Sequence, residues 1–189
     1  MACFRLLLLC FTLFIYSLLS FPLQIQAQDL EFQNVVLDNV SGSIQVNFGI
    51  EVLDVHALEE HLSEGLVLQM VCKAKLIRNR RWWMDKLLHQ EEQKFELKSQ
   101  PLQDSYVLQR KGWENNLKDQ DLGQLLNKAW SRLRLQLGSW EELKSGEDYA
   151  IELHLSLKRS NVPWWLRKSL FFWSWDLVPE KNYRMDFKY

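Results

Sequence analysis

The chain has 189 residues, with 23 Lys and Arg against 24 Asp and Glu, a formal net charge of −1, and nine tryptophans. That length is the usual size of one domain with one core. Seven scattered glycines and three cysteines supply neither a glycine-rich phosphate loop nor a disulfide framework. At the start, Arg5 leads into an apolar run from Leu6 to Leu23, followed by Ile25-Gln26-Ala27. A basic start, an apolar middle and a small residue at the cut form the layout of a secretory signal. Cleavage is therefore predicted near Ala27, leaving residues 28–189 as one β-rich domain. About 20 apolar residues also suffice to span a bilayer, so an uncleaved N-terminal anchor is the alternative. Pro22 and the series Gln24, Gln26, Gln28 favour cleavage. Export predicts a periplasmic or envelope-associated protein, away from ATP, nicotinamide cofactors and nucleic acid, and no cofactor or metal is expected. Cys3 and Cys10 leave with the leader, so only Cys72 remains and packing must supply the stability.

Leu30 to Leu37 is apolar and is followed by Asp38-Asn39-Val40-Ser41-Gly42-Ser43, a cluster of turn-forming residues. Ile44, Val46, Phe48, Ile50 and Val52 then alternate with polar partners, which predicts a strand with one buried face and a hairpin between the two segments. Asp54 is a good N-cap for a helix from Val55 to Glu64, stopped by Gly65. Leu66, Leu68, Met70, Cys72, Ala74 and Leu76 form a second alternating strand, and Phe95 with Leu97 a shorter one. Tyr106 to Arg110 is another. After Asp121, Leu122, Leu125, Leu126, Ala129, Trp130 and Leu133 recur at helical spacing. Tyr149, Ile151, Leu153, Leu155 and Leu157 alternate again, and Tyr183 to Lys188 is a last candidate strand. Strands with a single wet face favour antiparallel pairing. The expected fold is mainly β (β-rich α+β), an antiparallel sheet or sandwich of about seven strands with two amphipathic helices.

Charge is unevenly spread. From Lys73 to His89 six basic residues face Asp85 alone, and from Lys158 to Trp175 there are four basic residues and no acid. Each window follows a long strand and carries a tryptophan pair, Trp82-Trp83 and Trp164-Trp165. Arg78, Arg80, Arg81, Trp82, Trp83, Trp164, Trp165, Arg167 and Lys168 are therefore the candidate interaction surface. If the two strands run the same way, both windows emerge at one end of the fold. Tryptophan favours the headgroup level of a bilayer and Lys or Arg attract anionic lipid, so an anionic membrane surface or a membrane protein is the expected partner. Rings packed under the sheet with Arg and Lys stems laid over them are the structural alternative.

Catalytic signals are weaker. There is no G-x-S-x-G elbow and no H-E-x-x-H pair, and His56 and His61 point about 140 degrees apart on their helix. Cys72 lies on the apolar face of its strand, where an inert buried thiol is expected. The primary expectation is a non-enzymatic binding or accessory module of the cell envelope. The alternative is an exported hydrolase whose site is assembled from distant residues. A hydrolase should bring His89 or His154 within hydrogen-bond reach of a carboxylate or nucleophile in a cleft.

One resemblance rests on particular motifs. Arg80-Arg81-Trp82-Trp83-Met84-Asp85 after a strand, then Tyr106-Val107-Leu108, then Leu143-Lys144-Ser145-Gly146-Glu147-Asp148-Tyr149 leading into an alternating strand, are similar to an uncharacterised bacterial family, domain of unknown function 4390. The resemblance spans about Leu30 to Tyr189. It implies an exported or envelope-associated bacterial protein and supplies no catalytic residues. It also implies an accessory or sensing role beside a membrane sensor kinase. Within the last motif, Gly146 is expected to make the turn and Tyr149 to start the strand.

Overall fold

Two antiparallel sheets enclose a core of aliphatic and aromatic side chains in the computed structural model, which describes residues 30–160 and 176–189. The smaller sheet has the order β1-β2-β7, with β1 Leu30–Val40, β2 Ser43–Val52 and β7 Leu133–Ser139. The larger has the order β6-β5-β4-β3-β8-β9, with β3 Leu68–Arg78, β4 Lys86–Gln100, β5 Ser105–Arg110, β6 Leu117–Asp119, β8 Asp148–Arg159 and β9 Asp176–Lys188. Helices α1 (Val55–Ser63) and α2 (Leu122–Trp130) add their apolar faces, including Leu58, Leu62, Leu125 and Trp130, to the same core. The fold is the mainly β, antiparallel class that the alternation predicts, with nine strands among the described residues rather than about seven.

Local chemistry accounts for the boundaries. Ser41 and Gly42 both have positive φ, 53° and 79°, which is the turn whose twist suits a two-residue hairpin joining β1 to β2. Asp54 and Asp121 cap their helices by accepting hydrogen bonds from Ala57 N (3.0 Å) and Gln124 N (2.9 Å).

Several elements depart from the expected boundaries: β1 runs on to Val40 through residues assigned to the turn, and β9 begins at Asp176 rather than Tyr183. The second helix stops at Trp130 instead of running to Leu133, because Leu133, Leu135 and Leu137 alternate as β7 and pair with β2. The close approach of Ser131 to Gly49 allows this turn: a Cβ on Gly49 would lie 2.9 Å from the Ser131 carbonyl oxygen. β4 begins at Lys86, well before Phe95, and β6 is a three-residue strand with no apolar alternation of its own. The first half of β4 is polar because it lies beside the edge strand β7: Gln93 Nε2 donates to Arg134 O at 2.8 Å, and His89 packs against Gly138. Across the sheet its charges meet those of β3, with Lys73 3.3 Å from Glu92.

The directions of β3 and β8 bear on the candidate surface. They are adjacent antiparallel strands, with Arg78 opposite Tyr149 and Leu68 opposite Arg159. The condition for both tryptophan windows to emerge at one end, strands running the same way, is not met. The first window leaves β3 at the Arg78 end. Ser160, inside the second and ahead of its tryptophan pair, is tied through its N–H to Val67 O at 2.7 Å at the Leu68 end, and Asp176 pairs there with Lys158.

Candidate functional site

The β3–β4 connection forms a fixed base carrying an exposed tip. Arg78 is ion-paired to Glu147 at 2.9 Å, Asn79 N donates to Asp148 O at 2.9 Å, and Arg80 N donates to Asp85 Oδ1 at 3.1 Å. Beyond these bonds the chain presents Trp82 (89% exposed), Trp83 (77%) and Met84 (83%), with Leu87 half-exposed at the start of β4. Large apolar side chains standing out singly are ordinary, whereas these three are consecutive and form one contiguous apolar patch. Arg81 is exposed and Arg80 half-buried, and neither has an ion-pair partner among the described residues. Arg78, by contrast, is committed to Glu147, so its part is to hold the base. Trp164, Trp165, Arg167 and Lys168 lie outside the described residues.

Behind the tip lies a hollow of about 790 Å³ whose lining includes Arg80, Arg81, Asp85, Arg184 and Asp186. Arg184 organises it: Nη1 donates to Glu152 Oε1 at 2.8 Å, Nη2 to Asn79 Oδ1 at 2.8 Å and Nε to Asp186 Oδ1 at 3.2 Å. Asn79 Nδ2 also donates to Asp186 Oδ1 at 3.0 Å. The Asn79 hydrogen bond, and then the Arg184 guanidinium, hold the Asp186 carboxyl below its ordinary value. Sequence reasoning missed this network because it joins β9 to the β3–β4 loop, 105 positions apart at Arg184 and Asn79.

The Leu143-to-Tyr149 motif buttresses the same end. Gly146 has φ +84°, and its N–H donates to Tyr189 O at 2.5 Å. Fully buried Tyr149 opens the buried run of β8, and its hydroxyl accepts from Lys144 N at 2.8 Å. The Tyr149 ring stacks on Phe187 at 5.7 Å, and Trp140 closes on Phe187 and Tyr189 at 6.3 and 5.6 Å. The turn thus has the structural role expected of it.

His56 and His61 meet only neighbouring carboxylates of their own segment, Glu60 at 3.9 Å and Glu64 at 3.8 Å, whereas His89 and His154 meet carboxylates distant in sequence. His89 Nε2 is 2.6 Å from Glu142 Oε2, and this hydrogen bond holds Glu142 below its ordinary value. His154 Nδ1 lies 2.5 Å from Asn182 Oδ1 and Nε2 lies 3.4 Å from Glu180 Oε2, beside a hollow of about 330 Å³. Neither ring is hydrogen-bonded to a serine or cysteine among the described residues. Cys72 is buried, and burial pushes its thiol up, away from the reactive thiolate. Among the described residues no group of three His, Cys, Asp or Glu is placed to hold a metal ion.

The family described as domain of unknown function (DUF4390) matches residues 27–186 of this chain. No curated protein and no solved structure shows significant similarity to it.

Proposed function

Since the chain belongs to the DUF4390 family, for which no activity is assigned, we propose from its geometry that it is a non-enzymatic accessory module of the cell envelope. In this reading the leader directs export and is cut near Ala27, and the protein works in the periplasm or against the membrane. Its contact is the β3–β4 tip. Trp82, Trp83 and Met84 enter the headgroup region, while Arg80 and Arg81 face anionic lipid at about 1 kcal/mol each. The observation that carries the reading is the run of three exposed large apolar side chains next to two arginines whose guanidinium groups make no ion pair among the described residues.

Co-sedimentation of a chain starting at Gln28 with vesicles of mixed anionic and zwitterionic lipid tests it. Replacing Trp82 and Trp83 with Ser is expected to cut binding at least tenfold with an unchanged melting temperature. Replacing Arg80 and Arg81 with Glu should remove most of the dependence on anionic lipid and on salt. Unchanged binding in both variants would sink the membrane reading. If vesicles fail while native membranes retain the wild-type chain through the same residues, the partner is a membrane protein such as a sensor kinase.

The second reading, an exported hydrolase, draws on His154 with Glu180 and Asn182 beside their hollow, and on the His89–Glu142 pair. It predicts turnover of chromogenic aryl esters or phosphates that His154→Ala or His89→Ala abolishes. Turnover indifferent to both substitutions would exclude these histidines from any site.

A further inference from the structure

The hollow at the C-terminal end of α2 lies apart from the tip. It has a volume of about 380 Å³ between α2, β5 and the start of β7. Its apolar lining comes from Phe95, Leu108, Trp113 and Leu133, and its rim carries Arg110, Lys128, Arg132 and Arg134. Four cations line it and no carboxylate does among the described residues. Such one-signed lining around an apolar floor is unlike the mixed charge behind the tip.

The cations are not equivalent. Lys128 is neutralised by Asp119 at 2.6 Å, and Arg134 Nε donates to Asn47 Oδ1 at 3.0 Å. Arg110, Arg132 and Arg134 thus make no carboxylate ion pair among the described residues; of these, Arg134 is engaged by Asn47, and Arg110 has Glu91 near enough to act on its charge. The Arg110 guanidinium lies 4.4 Å from the centroid of the Trp113 ring and 6.0 Å from that of Phe95. Stacking of this kind leaves the in-plane N–H donors for an acceptor, and a fork of two donors suits a carboxylate. Removal of Arg110 from water lowers its pKa, and Glu91 opposes that shift only in part, so an incoming anion would offset the remainder. Arg132 and Arg134 also border a second hollow of about 460 Å³ that includes Asn34, Asn47 and Ser131, so polar groups lie beyond the cationic rim.

We propose that this hollow binds a small amphipathic organic acid, with an aromatic or branched apolar body on Phe95, Leu108, Trp113 and Leu133 and its anionic group between Arg110 and Arg132. The volume lies in the lower part of the range of small-molecule sites, roughly 300 to 1,000 Å³, which suits a body of one or two rings. The site is independent of the membrane contact. Phe95 pairs with Met70, eight residues along β3 from Arg78, or roughly 26 Å from the tip.

The test is a titration of the full chain, purified from the compartment in which it accumulates, with 2-naphthoate and with uncharged 2-naphthalenemethanol. Heteronuclear NMR reads the Trp113 indole and the Ala129 amide. Naphthoate is expected to shift both resonances and to bind at least tenfold tighter than the alcohol. Arg132→Glu should lose at least tenfold in naphthoate affinity with no change in melting temperature. Ala129→Trp should abolish binding by filling the space, and Arg132→Glu, an exposed change, keeps the test valid if that variant fails to fold. Equal affinity for acid and alcohol, shifts confined to other residues, or naphthoate binding indifferent to Arg132→Glu would each overturn the assignment. The variant with Ser at positions 82 and 83 should bind naphthoate as the wild type does, so failure at the tip and failure at this site are distinguishable.

Discussion

Cys72 is 1% exposed in the middle of β3, and removal from water holds its thiol in the protonated form. It is predicted not to react with a soluble disulfide reagent at pH 8 in the native state and to react fully in denaturant. Native reactivity on the timescale of an exposed thiol would show that β3 opens readily. Gly138 poses a different question, since a Cβ there would meet the His89 ring at 2.5 Å and its φ is +94°. The ring is the outer end of a half-exposed side chain whose Nε2 meets the exposed Glu142, so a swing that carries this pair outward relieves the clash. The backbone conformation is not relieved. Gly138→Ala is therefore expected to cost about 1–2 kcal/mol in chemical denaturation. His89→Ala in the same chain should recover little of it, and full recovery would make the steric term the larger.

At the scale of elements, the legible strands were those with one wet face. β2, β3 and β8 each set buried aliphatic residues against half-exposed polar ones, and their alternation shows it directly. The first half of β4 has no such pattern because its neighbour in space is the edge of β7, which only the long-range pairing supplies. β7 was hidden for another reason: Leu133 continues the helical spacing of Leu126 and Trp130, and local periodicity could not tell that the chain turns at Ser131. At the tip, Trp82, Trp83, Arg80 and Arg81 could be picked out by residue type. Which way they face, and that Arg184 of β9 steadies their base, required the β8–β9 register. The turn before β8 yields a quantitative expectation. Tyr149→Phe leaves the Lys144 N–H without its acceptor and should cost about 1–3 kcal/mol. The change in denaturation midpoint measures it, and a neutral result would mean that the ring stacked on Phe187 alone makes the corner.

Across the whole molecule, several carboxylates sit below their ordinary values because cations or hydrogen-bond donors face them. Glu92 is held down by Lys94 and then Lys73, Asp119 by Lys128, Glu142 by His89, and Asp186 by Asn79 and Arg184. Each folded value is depressed relative to the unfolded chain. The stabilisation is therefore complete above the ordinary values, 4.5 for Glu and 3.8 for Asp, and is lost as pH falls through the lower folded ones. Melting temperature is expected to be level from pH 7 to 5 and to fall progressively below pH 4. Glu92→Gln, which removes the carboxylate shared by two lysines, should make that fall shallower. A melting temperature unchanged between pH 7 and pH 3 would show that these pairs add nothing.

The antiparallel register of β3 against β8 has a mechanical consequence. Arg78 and Arg159 terminate neighbouring strands at opposite ends, across a ladder of 11 residue pairs. Because ladder hydrogen bonds lie perpendicular to the strands, tension between those two points loads them side by side in shear rather than unzipping them one at a time. A tug on the tip, if the tip is held, is therefore delivered through the sheet to the Ser160 end without first unravelling it, and the sandwich behaves as a strut between its two ends.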